Sequence, residues 1–236
     1  MDWVILLCLM LAPGDYERGA ALFAGGRYDE AIAVLARVSR EHPSDARAWK
    51  ALGVTYAAKA DYALALDPLQ RACALNPRLE DACYFEARAL YALDRFEDSI
   101  AVLRAELPRD ASPWRIHLGI AQASEALGRA AEAEPQFQTA MAMSPAGNHQ
   151  AAVAYAHFLL RAGRLDSAEE TLAPLVRAHP EAADAQLELG RVLYQLGRVP
   201  EAIAHLRIAC RLMPGNQQAR LLLDRAGRLQ DSRTVK

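Results

Sequence analysis

Small and large apolar positions recur along this chain at a nearly fixed interval. Ala31, Ala65, Ser99, Ala133, Ala168 and Ala202 are separated by 34, 34, 34, 35 and 34 residues. Four places after each stands a large apolar residue: Leu35, Leu69, Leu103, Phe137, Leu172 and Leu206. A spacing of four puts both residues on one face of a helix, one turn apart. Pro43, Pro77, Pro145, Pro180 and Pro214 punctuate the units. Proline has no amide donor, so it ends one helix or opens the next. The pattern predicts an array of helix pairs, each too small to bury both of its faces alone.

The residues inside the units are more specific. Residues 46–79 carry Trp49, Leu52, Gly53, Tyr56, Ala65, Leu69, Ala72 and Pro77. Residues 183–216 carry Leu189, Gly190, Leu193, Gly197, Ala202, Leu206, Ala209 and Pro214. This resembles the tetratricopeptide-repeat (TPR) family, whose pattern is Trp-x2-Leu-Gly-x2-Tyr, then Ala-x3-Phe, then Pro. The resemblance implies an all-α fold, a right-handed α-solenoid of stacked antiparallel helix pairs forming a TPR superhelix. Six repeats fill residues 15–216, at about 12–45, 46–79, 80–111, 112–147, 149–182 and 183–216. Residues 217–229 fit a capping helix, with Leu221, Leu222 and Leu223 toward the last repeat and a frayed tail at 230–236. Gly19, Gly53 and Gly190, or Ala87 and Ala156, stand where the first helix of a pair crosses the second.

Three departures carry expectations of their own. Glu86 takes the Leu place of the third repeat, and Glu106 and Pro108 imply that this repeat ends early. In the fourth repeat Gly119 and Ala133 are 14 apart, against 12 for the corresponding pair in the second. That predicts a longer first helix. Pro68, Pro135 and Pro174 fall inside second helices, where mild kinks are expected.

Composition changes this picture little. The net charge of -2 sets up no field that would favour nucleic acid or acidic lipid, so no nucleic-acid partner is expected. There is no phosphate loop, dinucleotide fingerprint, nucleophile elbow or HExxH, and no strand pattern to carry one. The expected protein is therefore non-catalytic and uses no cofactor. His42, His117, His149, His157, His179 and His205 show no metal-ligand spacing, so no metal is assigned. Cys8, Cys73, Cys83 and Cys210 form no CxxC pair. The last three read as small buried hydrophobes, with a Cys73–Cys83 disulfide across a turn as the alternative.

Residues 1–14 read as a hydrophobic leader. Trp3 to Ala12 are all apolar, too few to span a bilayer but the right length for a signal peptide, and Ala12-Pro13-Gly14 supplies small residues for cleavage. The reading is an exported or periplasmic protein with no membrane span after cleavage. The alternatives are a membrane anchor, or a packed helix on a cytoplasmic adaptor or an accessory module of a separate enzyme.

In TPR proteins the first helices line a groove that takes a protein or peptide, and the resemblance implies the same use here. The outward places are Tyr16 and Phe23 in repeat one, Lys50 in repeat two, and Tyr84, Arg88 and Tyr91 in repeat three. His117 follows in repeat four, His157 and Arg161 in repeat five, and Arg191 and Tyr194 in repeat six. Tyr84, Arg88 and Tyr91 share one helical face and are of types that dominate binding hot spots. This face and the Arg191–Tyr194 pair suit an acidic or carboxylate-bearing segment. The Lys and Asn set that grips chaperone tails is not matched, since no Asn holds these places.

Overall fold

The computed structural model describes residues 14–108 and 112–234. The expected leader lies outside them. Thirteen α-helices and no strand occur among the described residues. The chain divides into two compact units, residues 1–112 and 113–236.

In the first unit the pairs are α1 (Asp15–Ala24) with α2 (Tyr28–Glu41), α3 (Ala46–Ala58) with α4 (Tyr62–Leu75), and α5 (Ala82–Ala92) with α6 (Phe96–Glu106). In the second they are α7 (Pro113–Ala126) with α8 (Ala130–Met143), α9 (Gln150–Arg161) with α10 (Leu165–Ala178), and α11 (Ala183–Gln195) with α12 (Val199–Leu212). The last helix, α13 (Gln217–Thr234), packs on α12 and continues past the expected end at 229.

Every pair is closed by the same turn. One residue enters the left-handed region: Gly26, Ala60, Asp94, Gly128, Gly163 and Gly197 in order. Two residues are not glycine and carry the Cβ strain of that conformation. The next amide then reaches back to a carbonyl five residues earlier, as in Arg27 N to Leu22 O and Arg198 N to Leu193 O, both 2.9 Å. These bonds satisfy helix-end carbonyls that would otherwise be orphaned. The following helix can then start at once.

The repeating small residues sit at the helix crossings. Ala31, Ala65, Ala133, Ala168 and Ala202 are fully buried, and so are the Leu or Phe residues four places on. A Cβ at Gly53 would come within 2.5 Å of Leu69 Cγ and 3.1 Å of the Ala65 carbonyl. In repeat three the Ser99 hydroxyl uses this closeness to donate to the Ala87 carbonyl at 2.8 Å.

Repeat four departs from the expected frame. The crossing residue lies 16 places before the large core residue in every other repeat, as Gly53 does before Leu69. Counting back from Phe137 gives Ala121, which is fully buried, and not Gly119. The apparent insertion vanishes, and α7 is one residue longer than α3, 14 against 13. Repeat three does end early: α6 has 11 residues where the other second helices have 14.

Helices α4, α8 and α10 run through Pro68, Pro135 and Pro174. Each proline leaves one carbonyl, four residues earlier, without its amide. Those carbonyls belong to Leu64, Ala131 and Glu170, all exposed residues, so water can replace the missing donor.

Cys73 and Cys83 are joined by a disulfide, with Cα atoms 4.8 Å apart. This corrects the reading of both as free buried hydrophobes. Cys83 stands at the head of α5, in the place that Trp49 holds in α3, and faces the end of α4. Spacing cannot reveal this, because the turn between the helices sets the distance. Cys210 remains free and half-buried.

Candidate partner-binding face

The candidate residues fall in both units, and each unit presents a different surface. In the first unit they lie on α1, α3 and α5. Arg88 is exposed, with its guanidinium 5.9 Å from the centre of the Tyr84 ring and a 3.4 Å bond to its hydroxyl. One turn along the same face, Tyr91 meets Phe96 edge-on at 5.2 Å between centroids. Among the described residues Arg88 forms no ion pair with a carboxylate. The guanidinium thus rests against one tyrosine ring, with no carboxylate paired to it among the described residues.

The other candidates of this unit are more occupied. Tyr16 and Phe23 pack partly against the Trp49 cluster, and Phe23 leans on Tyr28 at 5.7 Å. Arg47, missed by the sequence reading, lies over the Tyr16 ring at 5.3 Å and pairs with Asp45 at 3.1 Å. Lys50 donates to the Glu80 carbonyl at 2.6 Å, tying α3 to the turn before α5.

In the second unit the cations are already matched. Arg161 of α9 donates to Glu125 of α7 at 2.8 Å. His157 Nε2 lies 3.2 Å from Glu188 Oε1 on α11, and Arg191 Nε lies 3.1 Å from Glu188 Oε2. The Glu188 side chain is only 5% exposed, and Arg191 on its own helix is its cationic partner. Together these contacts stitch α7, α9 and α11 into a charge-matched surface. Removing Glu188 would leave the half-buried Arg191 guanidinium without its carboxylate. Tyr194 is half-buried and packs against the core of the unit.

His117 is placed elsewhere. Its Nδ1 sits 2.7 Å from Gln136 Oε1 on α8, within its own hairpin. Once the repeat is counted from Ala121, His117 falls at the place of Trp49 rather than on the outer face. Repeat six holds the same pair with the residues exchanged: Gln186 Oε1 and His205 Nδ1 are 2.8 Å apart. Gln186 also donates to the Pro180 carbonyl at 2.9 Å, as Trp49 Nε1 does to Pro43.

A second set of ion pairs runs along the hairpin turns. Arg198 bonds Glu201 in the helix it caps and Glu169 in the preceding repeat, at 2.6 and 2.7 Å. Both carboxylates, Glu201 most, raise the Arg198 pKa further. Arg164 similarly holds Glu134 at 2.6 Å, and Tyr155 donates to the same carboxylate at 2.9 Å. These partners, Arg164 first, keep the Glu134 carboxyl below its ordinary range. The ladder ties neighbouring repeats of the second unit together.

One cluster was invisible to the sequence. His149, His179 and Glu181 bring their donor atoms within 4.8 Å of one another in the second unit.

The family model for the tetratricopeptide repeat matches residues 16–80, 84–148 and 154–217. Superkiller complex protein 3 of Mus musculus is 30% identical over 85 residues. That stretch is 36% of this chain and 5% of the relative, so the chain spans a small fraction of that protein's length. The structure of PilW, a widely conserved type IV pilus biogenesis factor, matches with a TM-score of 0.75 at 19% identity, covering 89% of this chain and 96% of that one. YrrB, a TPR protein with an unusual peptide-binding site, matches with a TM-score of 0.53 at 17% identity, covering 78% and 95%. At these identities the two structures share the fold alone with this chain.

Proposed function

The chain belongs to the tetratricopeptide-repeat family, and on that premise we propose that it is a non-catalytic scaffold whose first-helix face holds a protein or peptide partner. Recognition centres on α5, where Tyr84, Arg88 and Tyr91 line one face. The observation that carries this is Arg88: exposed, set against the Tyr84 ring, and paired with no carboxylate among the described residues. A guanidinium so placed can take a partner carboxylate through two parallel bonds while the tyrosines bury apolar stem. The partner segment is therefore acidic. In the second unit a partner carboxylate would have to displace Glu125 or Glu188 from Arg161, His157 and Arg191, so that unit contributes shape more than charge.

The test is affinity for a library of acidic and neutral peptides, measured with the wild type and with a Tyr84→Ala, Arg88→Glu variant. Acidic peptides lose at least tenfold in the variant, and neutral ones change little. Equal affinities for both proteins remove α5 from the binding face.

Export is part of the same proposal. It is supported by the apolar leader sequence and by the Cys73–Cys83 disulfide, a bond at home in an oxidising compartment. Mass spectrometry of the mature amino terminus in the native host decides it. A chain beginning near Asp15 supports export, and an intact Met1 or Asp2 terminus favours a cytoplasmic adaptor.

A further inference from the structure

We propose that His149, His179 and Glu181 form a binding site for a divalent transition metal, with zinc as the representative ion. The three residues come from two places 30 residues apart. His149 stands immediately before α9, and His179-Pro180-Glu181 is the turn that joins α10 to α11. The imidazole rings lie 4.5 Å apart between centroids, and His179 Nδ1 is 3.4 Å from Glu181 Oε1. All three donor atoms fit within 4.8 Å of one another.

The donor set has a definite chemistry. Two imidazoles and one carboxylate suit borderline ions such as zinc, nickel or copper, and disfavour magnesium and calcium, which want oxygen. Zinc bonds of about 2.0–2.1 Å in a tetrahedron give ligand separations of roughly 3.3 Å. The His179–Glu181 edge already has that length. The remaining edges close by rotation of side chains, because the backbone is held. The Ala182 amide donates to the His179 carbonyl at 3.0 Å, and Val153 N to the His149 carbonyl at 3.0 Å. Gln186 fixes the Pro180 carbonyl at 2.9 Å.

Two further features favour a ligand over simple packing. The His149 ring makes no hydrogen bond among the described residues, so its donor nitrogen is not committed. Both histidines are half-buried and Glu181 is exposed, which leaves one side open for water as fourth ligand. The bound ion would pin the turn between repeats five and six to the head of repeat five. It would act as a clasp within the second unit, independent of the peptide face on α5.

The test uses the full chain with any affinity tag removed, a Cys210→Ser background and prior treatment with chelator. Calorimetric titration with zinc chloride is expected to show one site per chain, and cobalt to give the visible bands of a four-coordinate ion. Magnesium gives no heat above dilution. His149→Ala and His179→Ala each weaken zinc binding at least tenfold, while His42→Ala, at the same turn place in repeat one, leaves it unchanged. Circular dichroism of the metal-free variants matches the parent, because all three residues reach solvent. Absence of zinc binding, or equal binding by the His149→Ala, His179→Ala double variant, overturns the proposal.

Discussion

The Cys73–Cys83 disulfide closes a loop of 10 residues between α4 and α5. Its removal should loosen the first unit and spare the second. In the chain-entropy description the bond lowers the freedom of the unfolded chain by about 2.1 + 1.5R ln n cal/mol/K, which at 25 °C and this loop length gives about 2.7 kcal/mol. The tryptophans allow the two units to be followed separately. Trp49 is buried in the first unit beside the bond, and Trp114 is buried in the second. In a Trp3→Phe background, single variants retaining either Trp49 or Trp114 are unfolded in guanidinium, with and without a phosphine reductant. Thiol titration confirms cleavage. The Trp49 transition should move to lower denaturant by an amount equivalent to about 2–3 kcal/mol, and the Trp114 transition should stay in place. A Cys73→Ala, Cys83→Ala variant should repeat the shift, since alanine is at ease in both helices. Coincident Trp49 curves for the oxidised and fully reduced protein would refute the reasoning.

Three other substitutions probe the repeat itself. Ala60→Gly relieves a left-handed residue at φ 61° and should stabilise the first unit by about 0.5–1 kcal/mol, measured by denaturant unfolding. Gly53→Val forces branched bulk against Leu69 and the Ala65 carbonyl, and should cost about 1–3 kcal/mol in the same assay. Burial raises the Glu86 carboxyl above its ordinary value, partly offset by a hydrogen bond from Gln70. Its contribution to stability is thus full below the unfolded glutamate pKa and is lost as pH rises through the folded one. Glu86→Gln should be more stable than the parent at pH 7, and the difference should vanish near pH 4. An advantage that persists in acid would contradict this.

The repeat was readable because its cause is local and recurrent. A small residue must stand at each helix crossing and a large one a turn later, so the same pair of types returns at Ala65 and Leu69 as at Ala202 and Leu206. The shortened α6 was readable for a similar reason, since Glu106 and Pro108 break the pattern in sequence. The frame of repeat four was not. Gly and Ala both satisfy the crossing, and Gly119 stood two places from Ala121 as a decoy. Counted from Gly119, His117 falls on the outer face, whereas its ring meets Gln136. Contacts between repeats were harder still. Glu125 with Arg161 and Glu134 with Arg164 are 36 and 30 residues apart, offsets set by how far one hairpin slides on the next. The Cys73–Cys83 bond and the His149–His179 approach depend on the same slide. The Glu188–Arg191 pair, three residues apart on α11, was open to sequence reading, whereas only the packing shows Glu125 on Arg161 and Glu188 beside His157.

Recognition through the first-helix face of α5 is tested most directly by a photoreactive amino acid placed at position 88 and, separately, at exposed position 104 on α6. Irradiation in the native host should give a discrete covalent adduct from position 88 and none from position 104. No adduct at 88, or the same adducts from both positions, would contradict the account.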